Sequence, residues 1–162
     1  MISKKMVDAI DRQLNREIYS AYFYLGMASY AESIGYKGVA NWFKAQWKEE
    51  LFHADKMFDY VLKRGSRVML EPIEEPPQDF SSIQDLFKRT TEHEKKVTAL
   101  IHKLVELAKQ ENDNETASFL QWFVKEQIEE EATPAGILKG LETKGKSKEG
   151  LLEIDSELAK RK

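Results

Sequence analysis

The sequence has no cysteine, and only four prolines and eight glycines in 162 residues. Without cysteine there is no disulfide framework, no thiolate-held zinc, no thiolate-ligated iron–sulfur cluster and no cysteine nucleophile. A long apolar run is also missing. The most apolar stretch, Ala21 to Ala31, has 11 residues and contains Gly26 and Ser29, whereas a membrane span needs about 20. The opening MISKKMVDAI turns polar too early for a secretion signal. Nor is there an excess of basic charge. Lys and Arg number 25 against 28 Asp and Glu, a net charge of −3, which argues against a dedicated nucleic-acid binder. These absences predict a cytoplasmic protein whose partners include neither a membrane nor a nucleic acid. The apolar fraction, 41%, is enough for one real core, so residues 1–162 are expected to form a single domain.

The few helix breakers are clustered. Breaks fall at Gly35–Gly38, at Gly65–Phe80 with three of the four prolines (Pro72, Pro76 and Pro77), at Asn112–Asn114 and at Gly145–Ser147. Four long segments and one short one lie between them, and none shows strand-like alternation. Each long segment carries an apolar stripe at helical spacing: Met6, Ile10, Leu14, Ala21 and Leu25 in the first; Val39, Phe43, Met57 and Val61 in the second; Ile83, Phe87, Val97 and Ile101 in the third; Leu120, Phe123, Ile137 and Leu141 in the fourth. Ser3, Ser82 and Asn114 stand where helix N-caps are wanted. Leu151, Ile154 and Leu158 share one side of the last segment. Pro134 lies inside the fourth, where its missing N–H and its ring predict a bend or a break just after Glu130.

Linker length sets the topology. The first–second and third–fourth connections are short, so each pair forms an antiparallel hairpin. The middle connection of about 16 residues can stretch to ~53 Å, and the second helix, near 26 residues, is ~39 Å long. The linker can therefore traverse the whole bundle and make the second and third helices parallel. The expected fold is all-α: a four-helix bundle over about residues 3–142 with one long crossover, followed by a short fifth helix at about 147–160.

Every long stripe is interrupted near its middle by polar residues: Glu17 on the first helix, Glu50 and His53 on the second (in phase with Gln46 and Met57), Glu94 on the third, Gln127 and Glu130 on the fourth. Their spacing repeats. Glu17 to Glu50 and Glu94 to Gln127 are both 33 residues, and a shift of 77 superposes Glu17 on Glu94, Glu50 on Gln127 and His53 on Glu130. A lone Glu-x-x-His is common on a charged helix, and one carboxylate in an apolar stripe usually snorkels to water. Four helices interrupted at matching depth are a different matter. Four buried carboxylates repel one another and cost several kcal/mol each unless compensated. Two divalent cations would cancel the charge. Oxygen ligands plus one imidazole, with no thiolate, suit a hard-to-borderline metal such as iron.

The blocks LNREIYSAY (14–22), NWFKAQWKEELFHA (41–54), RGSRVMLEPIEEPP (64–77), EHEKKVT (92–98) and FLQWFVKEQIEEEA (119–132) together resemble those of prokaryotic non-haem ferritins over nearly the whole chain. The resemblance implies an iron-storage protein with ferroxidase activity. Glu17, Glu50 and His53 would bind the first iron and Glu50, Glu94 and Glu130 the second, with Glu50 bridging. Gln127 would belong to the centre as a hydrogen-bonding neighbour. Glu49, Glu126 and Glu129 would form a third, transient iron site toward the inner surface. Tyr24 and Trp122 match aromatic residues beside the centre, although core packing alone also accounts for either. Fe²⁺ would be oxidised by O₂ or H₂O₂ and stored as a hydrated ferric oxide in a hollow shell of 24 identical subunits. Subunit contacts are expected at the Leu151/Ile154/Leu158 face and at outward aromatics such as Phe58 and Tyr30.

The departures from related families are informative. Gln127-x-x-Glu130 replaces the second Glu-x-x-His of bacterioferritins, and no Met adjoins Glu50 or His53, so no haem is expected. The absence of cysteine excludes the Cys-ligated iron module of rubrerythrins. The segment Ala117–Leu120 is mostly apolar where animal ferritins line an entry channel with acids. Two other readings fit part of the pattern: a di-iron peroxidase or oxygenase that stores no iron, and a purely structural bundle. The intact repeat of ligand residues speaks against the second.

Overall fold

The computed structural model describes all residues from Met1 to Lys162. Five α-helices and a short 3₁₀ turn make up the chain: α1 (Lys4–Ser33), α2 (Lys37–Lys63), α3 (Ile83–Gln110), α4 (Asn114–Thr143) and α5 (Lys148–Leu158), with Lys144–Lys146 as the turn before α5. No helix is long and apolar enough to cross a membrane.

The helix starts follow from local chemistry. Ser3 caps α1 by accepting from the Met6 N–H, and Ser82 caps α3 by accepting from the Asp85 N–H. The cap of α4 is Asp113 rather than Asn114. Its carboxylate accepts the Thr116 N–H and also holds Arg64 at 3.1 Å, which pins the start of α4 to the end of α2. An ionised cap with a cation beside it outcompetes a neutral amide. Pro134 does not break α4, which continues for nine residues beyond it to Thr143. Proline removes one donor from the ladder, and its ring is buried within the fold.

The crossover occupies residues 64–82 and runs beside α1. Asp11, buried on α1, accepts the Met69 N–H at 2.9 Å, Asn15 donates to the Pro72 carbonyl at 3.3 Å, and Phe80 meets Tyr30 edge-on with ring centres 5.5 Å apart. The chain thus travels from the start of α1 to its end before entering α3. Trp42 near the start of α2 accordingly touches Phe87 near the start of α3, ring centres 5.1 Å apart. The second and third helices are parallel, as the linker length allows.

The apolar core comes in two parts. One holds Met6, Ile10, Leu14, Met57, Val61, Ile101 and Leu120; the other holds Tyr24, Met27, Val39, Phe43, Phe87 and Leu141. The polar layer lies between them.

The short fifth helix does not wait for another subunit. Ile154 and Leu158 are buried within the second apolar cluster of their own chain, beside Val39 and Leu141, and Leu151 is half-buried there. Phe58 stays exposed, whereas Tyr30 is half-buried against Phe80. The docking of α5 depends on Gly38. An added Cβ there would stand 1.7 Å from the Asp155 carbonyl oxygen. Asp155 in turn caps α2 from across the interface, accepting the Val39 N–H at 2.8 Å, since the preceding Tyr36 supplies no side-chain cap. Gly38→Ala should therefore force α5 away and cost about 1–3 kcal/mol. A lower denaturant midpoint and new protease cleavage near α5 are the expected readouts; unchanged values would contradict this account of the interface.

Candidate metal centre

Four helices place the interrupting residues in one layer. Glu17 comes from α1, Glu50 and His53 from α2, Glu94 from α3, and Gln127 and Glu130 from α4. All six are between 1% and 7% exposed, so none snorkels to water. Glu50 and His53, three apart, face the same way because that spacing is close to one helical turn.

Ligand-capable atoms converge in three groups, each with its atoms within 4.8 Å of one another: Glu17, Glu50 and His53; Glu50, Glu94 and Glu130; and His53, Glu126 and Glu130. Glu50 links the first two. His53 Nδ1 lies 3.3 Å from Glu50 and 3.7 Å from Glu17. The second distance is too long for a hydrogen bond, and Glu17 Oε2 is buried with no partner. A buried anionic oxygen left open beside two further ligands fits a cation.

Titration behaviour reflects the crowding. Burial, with the charge of Glu94 beside it, drives the Glu50 carboxyl well above its ordinary value. Burial and Glu130 push Glu94 up to about 8, and burial moves Glu130 to about 7 despite the attraction of His53. Burial alone would lower His53, but its contacts with Glu17 and Glu50 raise it to about 11. Glu17 falls below the ordinary range because His53 and Glu50 outweigh its burial. Protons retained on Glu50, Glu94 and His53 thus offset the repulsion among these carboxyls.

Around this layer is a set of amide and hydroxyl partners. Gln13 donates to Glu17 at 2.8 Å, and Gln46 donates to Glu130 at 2.5 Å and to Glu50 at 3.3 Å. Gln127 donates to Glu94 at 3.1 Å and to Thr98 at 3.0 Å, and Thr98 donates to Glu131 at 2.8 Å. The Tyr24 hydroxyl, fully buried, donates a short bond to Glu94. Burial and the Glu94 charge keep that phenol protonated far above its usual range. Trp122 stands edge-on to His53, ring centres 5.5 Å apart, with the Lys56 ammonium 4.3 Å above its ring. His93 lies against Tyr24 and bonds Ser20 through Nε2 at 2.8 Å; burial lowers it to about 4, so it is neutral.

The ferritin-like domain profile matches residues 7–143. The bacterial non-heme ferritin of Bacteroides fragilis is 40% identical over 161 residues, covering 99% of this chain and all of that protein. That of Staphylococcus aureus is 42% identical over 132 residues, 82% of this chain and 80% of the other. The chain belongs to the ferritin family. Among solved structures, an open-pore ferritin from the hyperthermophilic archaeon Archaeoglobus fulgidus is 54% identical with a TM-score of 0.98, over all of this chain and 99% of that one. A closed form of the same organism's ferritin, engineered by mutagenesis, is 53% identical with the same TM-score and the same coverage. The four-helix bundle with one crossover is thus the ferritin architecture.

In this ferritin chain Glu49, Glu126 and Glu129 do not converge into a three-ligand group. They line one open cavity of about 530 Å³ together with Glu130, between α2, α4 and α5. Glu126 reaches toward the buried layer, 3.9 Å from His53 Nε2. Glu49 is paired with Arg161 at 2.5 Å in the same cavity. Gln13, Gln46, Thr98 and Arg161 form part of the site's surroundings and were not singled out as site residues from the sequence. For two of them a signal existed: Gln13 and Gln46 each stand four residues before a core glutamate, and they too are 33 apart.

Proposed function

We propose that this chain, as one ferritin-like unit, oxidises and stores iron in a hollow shell of 24 copies in the cytoplasm. Two Fe²⁺ ions are the substrates of the buried layer. Glu17, Glu50 and His53 hold one; Glu50, Glu94 and Glu130 hold the other. Each iron gives up one electron. One O₂ takes both with two protons to form H₂O₂, or one H₂O₂ takes both with two protons to form two waters. The Fe³⁺ leaves toward the mineral past Glu126, Glu129 and Glu49. Tyr24 and Gln127 orient Glu94, and Gln46 orients Glu130. The observation that carries this reading is the polar layer itself: four buried carboxylates and one imidazole drawn from all four helices, with an unpartnered oxygen on Glu17.

The two positions should differ. Imidazole favours later first-row divalent ions, and Zn²⁺ binds such a site more tightly than Fe²⁺. The position with His53 is therefore expected to fill first, and Zn²⁺ is expected to inhibit by occupying it. Size exclusion with light scattering, followed by aerobic Fe²⁺ addition monitored in the near ultraviolet, tests assembly and oxidation together. A 24-subunit mass and a prompt Zn²⁺-sensitive rise in absorbance are expected. A monomer at micromolar concentration would refute the shell, and a shell that oxidises but retains no iron would refute storage.

A further inference from the structure

Arg161 lies three residues beyond α5, yet it is the most heavily engaged arginine near the centre. Its guanidinium donates to Glu49 at 2.5 Å, to the Gln46 side-chain oxygen at 3.0 Å and to the Trp42 carbonyl at 3.2 Å, and it stacks 4.5 Å from the Trp42 ring centre. The backbone behind it is tied down separately, since Asn41 donates to the Arg161 carbonyl at 2.8 Å. Exposed ion pairs are usually mobile and worth little. This one differs, with three acceptors, an aromatic face and an anchored main chain around a side chain only 23% exposed.

Its position matters more than its contacts. Arg161 lines the same acidic cavity as Glu126, Glu129 and Glu130. It is the cation in that cavity that touches Glu49, and its guanidinium occupies the Glu49 oxygen that a metal would need. Through Gln46, whose oxygen accepts from Arg161, it also fixes which end of that amide faces the buried layer. The amide nitrogen is left to donate to Glu130 and Glu50.

We propose that Arg161 is a tethered cation that competes with divalent metal for Glu49, and so sets how weakly the cavity holds an ion passing between the buried layer and the mineral. Glu49 completes a ligand set with Glu126 and Glu129 only after the guanidinium has left it. A transit position must bind loosely enough to release its cargo, and an internal competitor lowers affinity without removing a ligand. The inference rests on the transit role given to Glu49, Glu126 and Glu129 above.

The test is anaerobic Zn²⁺ calorimetry on the assembled protein, comparing wild type with Arg161→Gln, Arg161→Lys and Glu129→Gln. Wild type should show two tighter events per chain and a weaker third that Glu129→Gln removes. Arg161→Gln loses the charge but keeps an N–H that can donate to the Gln46 oxygen, and should tighten the third event by roughly fivefold while the first two move far less. Arg161→Lys keeps the charge and should stay near wild type. A merely structural role would shift all three events together. A third event of unchanged affinity in Arg161→Gln, or equal tightening in Arg161→Lys, would overturn the competitor role alone. Absence of any third event sensitive to Glu129→Gln would overturn the transit reading, and the competitor role with it.

Discussion

Replacing Glu50 by alanine is expected to slow the fast phase of Fe²⁺ oxidation by at least about 100-fold while the shell still assembles. Glu50 is the residue common to the Glu17/His53 group and the Glu94/Glu130 group. Its loss removes one ligand from each position and the link that fixes their separation, and misplacing reacting centres by even 1 Å costs about 100-fold. His53→Ala should behave differently. It deletes the imidazole from the first position and leaves Glu50, Glu94 and Glu130 in place, so first-position affinity should drop by at least the roughly 10–100-fold that loss of an outer partner costs. Folding should survive both changes. Glu50→Ala takes one partner from His53 and one from Gln46 but leaves the two apolar clusters above and below the layer intact, so the metal-free variant should fold with a modest loss of stability. Anaerobic Fe²⁺ titration with stopped-flow oxidation distinguishes these outcomes. Normal fast oxidation by Glu50→Ala, or equal filling of both positions in wild type, would show that the ligands are assigned wrongly.

The metal-free protein should lose stability as pH rises from about 5 to 9, and divalent metal should reverse the trend. The sign follows from the direction of each shift. Glu94 moves from an ordinary 4.5 to about 8, Glu130 from 4.5 to about 7, and His53 from 6.5 to about 11. Each binds its proton more tightly folded than unfolded. Its contribution is therefore complete below the ordinary value and is lost as pH climbs through the folded one. Glu17 is shifted downward, so its contribution changes only below about pH 4.5; His93, lowered to about 4, works the other way up to its ordinary 6.5 and offsets part of the loss there, so the fall is steepest above about pH 6.5. The combined loss is on the order of a few kcal/mol. A metal that replaces the protons needs the same groups deprotonated, so Zn²⁺ should raise the thermal midpoint more at pH 8.5 than at pH 5.5. A metal-free midpoint that stays flat or rises across this range would contradict the protonated layer.

Much of this arrangement was legible because it repeats along the chain. Helical spacing located α1 to α4, the length of the middle linker allowed α2 and α3 to be parallel, and the positions where acids displace apolar residues marked Glu17, Glu50, His53, Glu94 and Glu130 as one layer. What could not be read depends on which distant residues meet. Asp11 is an ordinary acid until the crossover brings the Met69 N–H to it. Arg161 reaches Glu49 only because α5 folds back beside α2. The Leu151/Ile154/Leu158 face looked available to another subunit, but Gly38 lets α5 approach closely enough to bury most of it in its own chain. Asn114 and Asp113 are both good caps by residue type. The choice fell to the one that Arg64 can reach.

The division of the ligands between hairpins bears on how the chain folds. Glu17, Glu50 and His53 all belong to α1 and α2, so their group closes with the first hairpin, over 33 to 36 residues of chain. The second group takes Glu50 from that hairpin and Glu94 and Glu130 from the other, 80 residues from Glu50 at the farthest. Contacts of short sequence separation form early and those of long separation late. The group containing His53 is therefore expected to close before the bundle does, and the all-carboxylate group only after the crossover has delivered α3 and α4. A divalent ion captured by the early hairpin neutralises two acids that the second hairpin must approach, so metal supplied during refolding should speed the docking of the two halves rather than the formation of either.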